Sequence, residues 1–358
     1  MKILFVITGL GLGGAEQVVV TLVNQLIARG HQVKIAYLRG DVIVRPHQNV
    51  ELIHLGFDGI KNFIKACKNL KKIIQEFKPD VVHAHLFHAC LLARLVRITQ
   101  PMPRLVCTAH SKAIGGKARA WLYRVTDDLS DINTNVSEEA TAYFIEQKVF
   151  LKQRSCTVTN GIDTPKFKFE PNQRIELRQK FGLTNETVFM AVGRFNEAKD
   201  YPNLIDAFLQ LKQQNTIKLY IIGDGKLRSQ LEAKIQGHSN ITLLGARDDV
   251  AQLLCMSDIF VLSSAWEGFG LVVAEAMSCE RVIVATDCGG VKEVLDQPEW
   301  LVPPQNSKLL SEKMQQAVQL STHQKQQIGQ QNRERIIKHY SVERMLNQWL
   351  EIYTKANK

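Results

Sequence analysis

The chain has 358 residues, 45% hydrophobic and 22% charged, with a net charge of +10 at pH 7. That length is too great for one ordinary α/β core and suits two domains of about 170 residues each. No apolar run approaches the ~20 residues a membrane span needs, so a transmembrane protein is excluded.

The opening apolar run, Ile3 to Ile7, is short, ends in glycines and has no cleavage-like site, so it reads as a first strand rather than a signal peptide. Seven cysteines, at 67, 90, 107, 156, 255, 279 and 288, form no C-x-x-C pair. An odd count in apolar surroundings suits reduced core thiols of a cytosolic protein.

Residues 2–8 predict a strand that runs into a loop bearing Gly9, Gly11, Gly13 and Gly14. From Ala15 to Arg29 apolar residues recur at helical spacing, and Val33–Leu38 is a second strand. Strand, glycine loop, helix and strand in that order begin a doubly wound sheet. Gly9, Gly11 and Gly14 also fit G-x-G-x-x-G, which keeps an NADP-dependent oxidoreductase as the alternative. The confirming acidic residue is missing, since the second strand runs into Arg39.

Ile60–Phe77 reads as an amphipathic helix, with Lys61, Lys65, Lys68, Lys71 and Lys72 outside and Ile64, Cys67, Leu70, Ile74 and Phe77 inside. Lys78 extends the basic side, and Pro79 breaks the helix before a strand, Val81–His85. His83 and His85 share one face of it, with His88 close by. No cysteine or carboxylate completes a ligand set, so they are expected to be polar histidines at a crevice edge rather than a metal site. The strand Arg104–Ala109 ends at His110, and residues 111–124 are basic. Across 61–124 thirteen lysines and arginines face two carboxylates, a balance of +11, while the rest of the chain sums to −1. Such a segment suits an anionic membrane surface or a phosphate-bearing acceptor. Apart from Trp121 it lacks interleaved aromatics, so nucleic acid is not an expected partner.

Asp131–Val136, a helix from Ser137, and Ser155–Thr159 complete the first domain, and 164–171 reads as a linker. The second domain opens with the strand Thr187–Val192, followed by Arg194 and Lys199. Taken by themselves, these two cations read as part of a solvated loop. Strands Lys218–Ile222 and Ile241–Leu244 follow, the second leading to Arg247.

Ile259–Leu262 belongs to a buried strand, and Leu271–Met277 to a helix begun just past Gly270. A strand turning sharply into a helix presents free N–H groups as an anion site. Glu267 and Glu275 frame the turn. A carboxylate beside a phosphate is poorly placed to bind it, so both are expected to accept hydrogen bonds from hydroxyls. A diphosphate between two hydroxyl-bearing rings is a nucleotide-sugar. A strand at Arg281–Ala285, a glycine turn at 287–290, helices from about Ser307 and a helix at Val342–Tyr353 end the chain. No internal repeat or low-complexity tract appears.

Glu267 and Glu275, with seven residues between them around Gly-Phe-Gly-Leu-Val, resemble the signature of retaining GT-B glycosyltransferases, in particular glycosyltransferase family four. The resemblance covers nearly the whole chain and is sharpest at 193–199 and 258–277. It implies an α/β GT-B fold of two Rossmann-like doubly wound domains facing each other across a cleft. Residues 1–165 would bind the acceptor, with a helix at about 341–358 packing back on them, and 172–340 would bind the donor. Glu267 would face the transferred sugar and Glu275 the ribose. Arg194 and Lys199 would contact the diphosphate with the turn Phe269, Gly270, Leu271 and Val272. Arg247 would lie near the base, Gly13 and Gly14 near the donor phosphates and sugar, and His110 at the reaction centre.

The implied activity is transfer of a sugar, with retention, from a nucleotide-sugar, expected to be a UDP-sugar. The expected acceptor is a glycan or polyprenyl-diphosphate-linked sugar in bacterial surface polysaccharide synthesis. The enzyme would be cytoplasmic and peripheral at the inner face of the membrane. No D-x-D pair of aspartates exists, so neither metal nor cofactor is expected. A non-catalytic nucleotide-sugar-binding subunit is the further alternative.

Overall fold

The computed structural model describes residues 1–11, 13–47, 49–57, 59–212 and 214–355. Leu12 of the glycine loop and residues 356–358 of the expected C-terminal helix lie outside them. The chain divides into two compact units, Met1–Gly161 with Val342–Lys358, and Ile162–Ser341.

The first unit holds β1 (Lys2–Ile7), β2 (Gln32–Tyr37), β3 (Glu51–His54), β4 (Val81–His85), β5 (Leu105–Thr108), β6 (Ile132–Asn135) and β7 (Ser155–Thr157). They form one parallel sheet in the order β3-β2-β1-β4-β5-β6-β7. Parallel strands are covered on both faces, which is why β1 reads as an apolar run and why β1 and β4 are buried almost throughout. The helix Gly14–Ala28 presses Val18, Val19, Leu22, Val23 and Leu26 inward. The helix Val342–Thr354 belongs to this unit and buries Met345, Leu346, Trp349 and Tyr353.

The lysine-rich helix spans Phe63–Phe77 behind a short 3₁₀ turn and stops where Lys78 turns left-handed before Pro79. Its inward stripe is Ala66, Leu70, Ile73, Ile74 and Phe77. Ile64, expected inside, is 69% exposed, because the buried stripe runs through Ala66 instead. Three arginines of the basic segment also point inward. Arg94 is fully buried and donates to Asn133 Oδ1 (2.6 Å), Thr126 Oγ1 (3.1 Å) and the Tyr123 carbonyl (3.0 Å), with Asp127 at 3.4 Å. Arg97 pairs with Asp131 at 2.8 Å, and Arg104 donates to the Ile352 carbonyl at 3.1 Å. The excess of 61–124 is therefore not all surface charge.

The second unit holds β8 (Thr187–Val192), β9 (Ile217–Ile222), β10 (Ile241–Gly245), β11 (Ile259–Leu262), β12 (Val282–Thr286) and β13 (Leu301–Val302). Its parallel sheet runs β10-β9-β8-β11-β12-β13, so the strand order reverses at β8 beside β11. Ligands of open parallel sheets bind outside the strands' carboxyl ends at such a reversal. Both units are Rossmann-like, as the two-domain α/β reading expects. No helix among the described residues is long and apolar enough to cross a membrane.

Candidate active site

In the second unit the loops after β8, β11 and β12 are tied together. Ala265 N–H donates to the Ala198 carbonyl (2.8 Å) and Ser263 Oγ to the Lys199 carbonyl (2.8 Å). Thr286 Oγ1 donates to the Ser264 carbonyl at 2.7 Å. These bonds bring Lys199 to the signature turn, where its Nζ lies 2.5 Å from Oε1 of Glu267. The same oxygen accepts from Ser264 Oγ at 2.7 Å. Arg194, beyond the end of β8, is exposed, with no side-chain bond to any described residue.

Gly270 takes φ +87°, a left-handed conformation that glycine adopts without steric cost, and the helix Leu271–Ser278 starts directly after it. Val273 N–H returns to the Gly270 carbonyl (2.9 Å), while the N–H groups of Leu271 and Val272 have no partner among the described residues. Orphan donors and the positive end of the helix dipole coincide at this turn. Phe269, expected at the donor, points away: its ring is buried and packs edge-on against Tyr340 at 5.6 Å. Only its backbone is left to face a ligand.

Glu275 lies one turn further. Burial raises its carboxyl to about 7, against the weaker pull of Lys166 and Lys199. Its side chain has no hydrogen-bond partner among the described residues, so it is a carboxylate with acceptor capacity to spare. Arg247 is exposed and forks onto Asp249, at 2.8 and 2.5 Å. Tyr201, which sequence reasoning passed over, leaves its hydroxyl buried without a partner, and burial and the nearby Glu267 charge push it well up. It stands two residues after Lys199, but only burial distinguishes it.

In the first unit Gly13, in extended conformation, precedes the helix Gly14–Ala28. Glu16 folds back over it, so that a Cβ on Gly13 would meet Oε2 at 2.2 Å.

His83 and His85, expected as polar histidines at the crevice edge, are instead fully buried, because the helix Val342–Thr354 covers their face of β4. His83 bonds Tyr353 Oη through Nδ1 and Thr108 Oγ1 through Nε2, both at 2.7 Å. His85 Nδ1 lies 2.9 Å from Nε2 of His110, two residues past β5. Burial lowers His110 to about 4 and puts His83 and His85 well below the usual imidazole range. All three are therefore neutral at pH 7. Among the described residues no set of three metal-ligating side chains is arranged to hold an ion.

The chain's sequence and fold resemble those of known proteins. Residues 12–166 match the model of Glycosyltransferase Family 4, and residues 173–335 that of Glycosyl transferases group 1. N-acetyl-alpha-D-glucosaminyl L-malate synthase of Bacillus anthracis is 24% identical over 95% of this chain and 93% of its own length. The UDP-Gal:alpha-D-GlcNAc-diphosphoundecaprenol alpha-1,3-galactosyltransferase of Escherichia coli is 28% identical over 63% of this chain, which spans 62% of that protein. Among solved structures, HepE of Anabaena in complex with UDP and glucose superposes with a TM-score of 0.83 at 21% identity, over 98% of this chain and 99% of that one. With glycosyltransferase models matching both halves and two parallel Rossmann-like sheets beneath them, the protein is a GT-B glycosyltransferase.

Proposed function

We propose that the enzyme transfers a sugar, with retention, from a UDP-sugar to a lipid-linked glycan acceptor during synthesis of a bacterial surface polysaccharide. The observation that carries the donor assignment is the signature turn. Two bare N–H groups, at Leu271 and Val272, stand one helical turn from a carboxyl without a partner, Glu275, with the Lys199–Glu267 pair alongside. In this reading the diphosphate takes the N–H groups, Arg194 and Lys199, the ribose hydroxyls donate to Glu275, and Glu267 addresses the sugar. Arg247 is assigned to the base, and on the first unit Gly13, Gly14 and His110 to ligand contact. The sugar–oxygen bond to the diphosphate breaks, the acceptor hydroxyl bonds to the anomeric carbon, and its proton passes to the leaving diphosphate. Arginine, lysine and amide groups stabilise that diphosphate, so no step calls for a metal.

UDP is favoured because the Anabaena structure holds UDP and the E. coli relative is named for UDP-Gal. The lipid-linked acceptor draws on that relative's name and on the basic side of the first unit. On the lysine-rich helix and the turn before it Lys61, Lys65, Lys68 and Lys72 are exposed around Ile64, and on another helix, Lys117–Val125, Trp121 and Val125 are exposed. Cations with apolar tips suit an anionic membrane surface.

Purified protein incubated with UDP-, GDP- and ADP-sugars tests the donor, and NMR of the glycosidic product tests retention. Release of UDP from one UDP-sugar, and an anomeric configuration kept in the product, are expected. Preference for another nucleotide or an inverted product overturns the corresponding part.

A further inference from the structure

The helix Val342–Thr354 closes over a line of aromatic and imidazole rings that ends at His110. Tyr353 holds His83, and Thr108 holds its other nitrogen and is itself 2.7 Å from Thr134 Oγ1. The His83 ring lies 3.9 Å from that of His85 and 4.5 Å from that of Trp349. Phe5 lies beside both imidazoles, 5.5 Å from His83 and stacked on His85 at 5.6 Å. His85 thus packs against two rings, and its one side-chain hydrogen bond among the described residues is to His110.

We propose that His85 is a positioning residue that fixes His110 as the tautomer protonated on Nδ1, so that His110 offers its ligand a hydrogen-bond donor. The 2.9 Å approach of His85 Nδ1 to His110 Nε2 holds one proton between them, and each neutral ring carries one N–H in all. If His110 supplied it, His85 would carry its own proton on Nε2, which is buried with no partner. An N–H group would then be orphaned in the core, with no acceptor among the described residues. If His85 supplies it, the buried Nε2 is only a bare lone pair. The second proton then sits on His110 Nδ1, which is not among the buried atoms lacking partners. Orphaned buried N–H groups are rarer than under-used acceptors, so the second arrangement prevails. The second ring nitrogen of a working histidine is commonly set in this way by the bond the first one makes.

The effect on turnover rests on the assignment of His110 to ligand contact; the tautomer does not. The two are separated with full-length protein labelled with ¹⁵N-histidine, comparing wild type, His85→Phe and His85→Asn. Asparagine keeps an N–H donor near the place of Nδ1, whereas phenylalanine keeps only the ring. Wild type and His85→Asn are expected to show His110 protonated on Nδ1 and bare on Nε2, with His85→Phe losing that preference. Turnover should fall roughly tenfold to a hundredfold in His85→Phe, with little change in donor KM, and recover in part in His85→Asn, as when an orienting partner is lost. A wild-type His110 protonated on Nε2, or the same tautomer in His85→Phe, overturns the proposal. A changed tautomer with unchanged turnover upholds the positioning and removes His110 from the ligand site. If His85→Phe does not fold, the wild-type and His85→Asn spectra still decide the tautomer.

Discussion

Nζ of Lys199 and Oε1 of Glu267, 68 residues apart in the chain, stand 2.5 Å from each other with their side chains 17% and 15% exposed. Among the described residues, the only other side-chain bond to that oxygen is from Ser264. The lysine is thus already neutralised, and in the proposed binding mode a diphosphate beside Arg194 would have to share it.

Lys199→Ala should therefore lower turnover by about 10²–10³, or ~2.7–4 kcal/mol, the usual loss of a group that stabilises charge developing in the transition state. Glu267→Gln releases the lysine, so free UDP should bind more tightly while the intact donor turns over more slowly. Calorimetry beside steady-state kinetics reads both. Wild-type turnover in a folded Lys199→Ala enzyme would exclude the lysine from the reaction.

Glu275 ties nucleotide affinity to pH. Burial pushes its carboxyl up to about 7, and in the proposed binding mode ribose hydroxyls would donate to the ionised form. Affinity for UDP should rise between pH 6 and 8 and then level off, and in Glu275→Gln that rise should vanish. Stability runs the other way. A carboxyl raised from 4.5 to about 7 holds its proton longer in the folded state than in the unfolded chain. Folding free energy is then lost as pH climbs from 4.5 to 7, and Glu275→Gln should be the more stable protein at pH 8, by on the order of 2 kcal/mol. Equal stability of the two at pH 8 would contradict the burial of the group.

Gly289, at φ +56°, lies so close beneath the signature turn that a Cβ there would meet the Glu267 carbonyl oxygen at 2.1 Å. Gly289→Ala should displace Glu267 and lower turnover at least as much as losing one catalytic contact, roughly a hundredfold. Gly237, also left-handed but with open space around it, is the control. Gly237→Ala should cost about 1 kcal/mol of stability and leave turnover alone. Similar turnover in the two variants would show that the contact with Glu267 does not matter.

Charge reversal at Lys65, Lys68 and Lys72 should abolish co-sedimentation with anionic vesicles, since each cation near such a surface contributes about 1 kcal/mol. Trp121→Ala should weaken binding with less change in salt dependence. Binding should fall steeply with salt. Equal affinity for neutral vesicles would rule out an electrostatic attachment.

Five of the second unit's six strands were legible in the sequence because each is a short apolar run closed by polar or glycine residues, while the two-residue β13 was not. Thr187–Val192 is read with the same bounds that the structure gives it. Edge strand Glu51–His54 was not, since four half-exposed residues carry no alternation. The helix Phe87–Arg97 starts two residues after β4 and has a fully buried arginine, so it shows no clean polar face. Arg94 is balanced by Asp127 and Asn133, 33 and 39 positions away, which no local pattern reports. The same holds for His83, whose partner Tyr353 is 270 residues distant. At the signature turn the sequence identified Glu267, Glu275 and Lys199 as residue types. Their pairing, and the inward turn of Phe269, depend on contacts between loops that spacing does not encode.

The return of Val342–Thr354 to the first unit sets an order on biosynthesis. The second unit is one continuous stretch, complete once the ribosome has passed Ser341. The first unit has by then been waiting with β4 uncovered, because Trp349 and Tyr353 do not yet exist to shield His83. Domains usually finish in the order in which they are made. Here the half made first is completed second, and a chain stalled before Val342 would carry a finished second unit beside a first one whose imidazoles are still open to water.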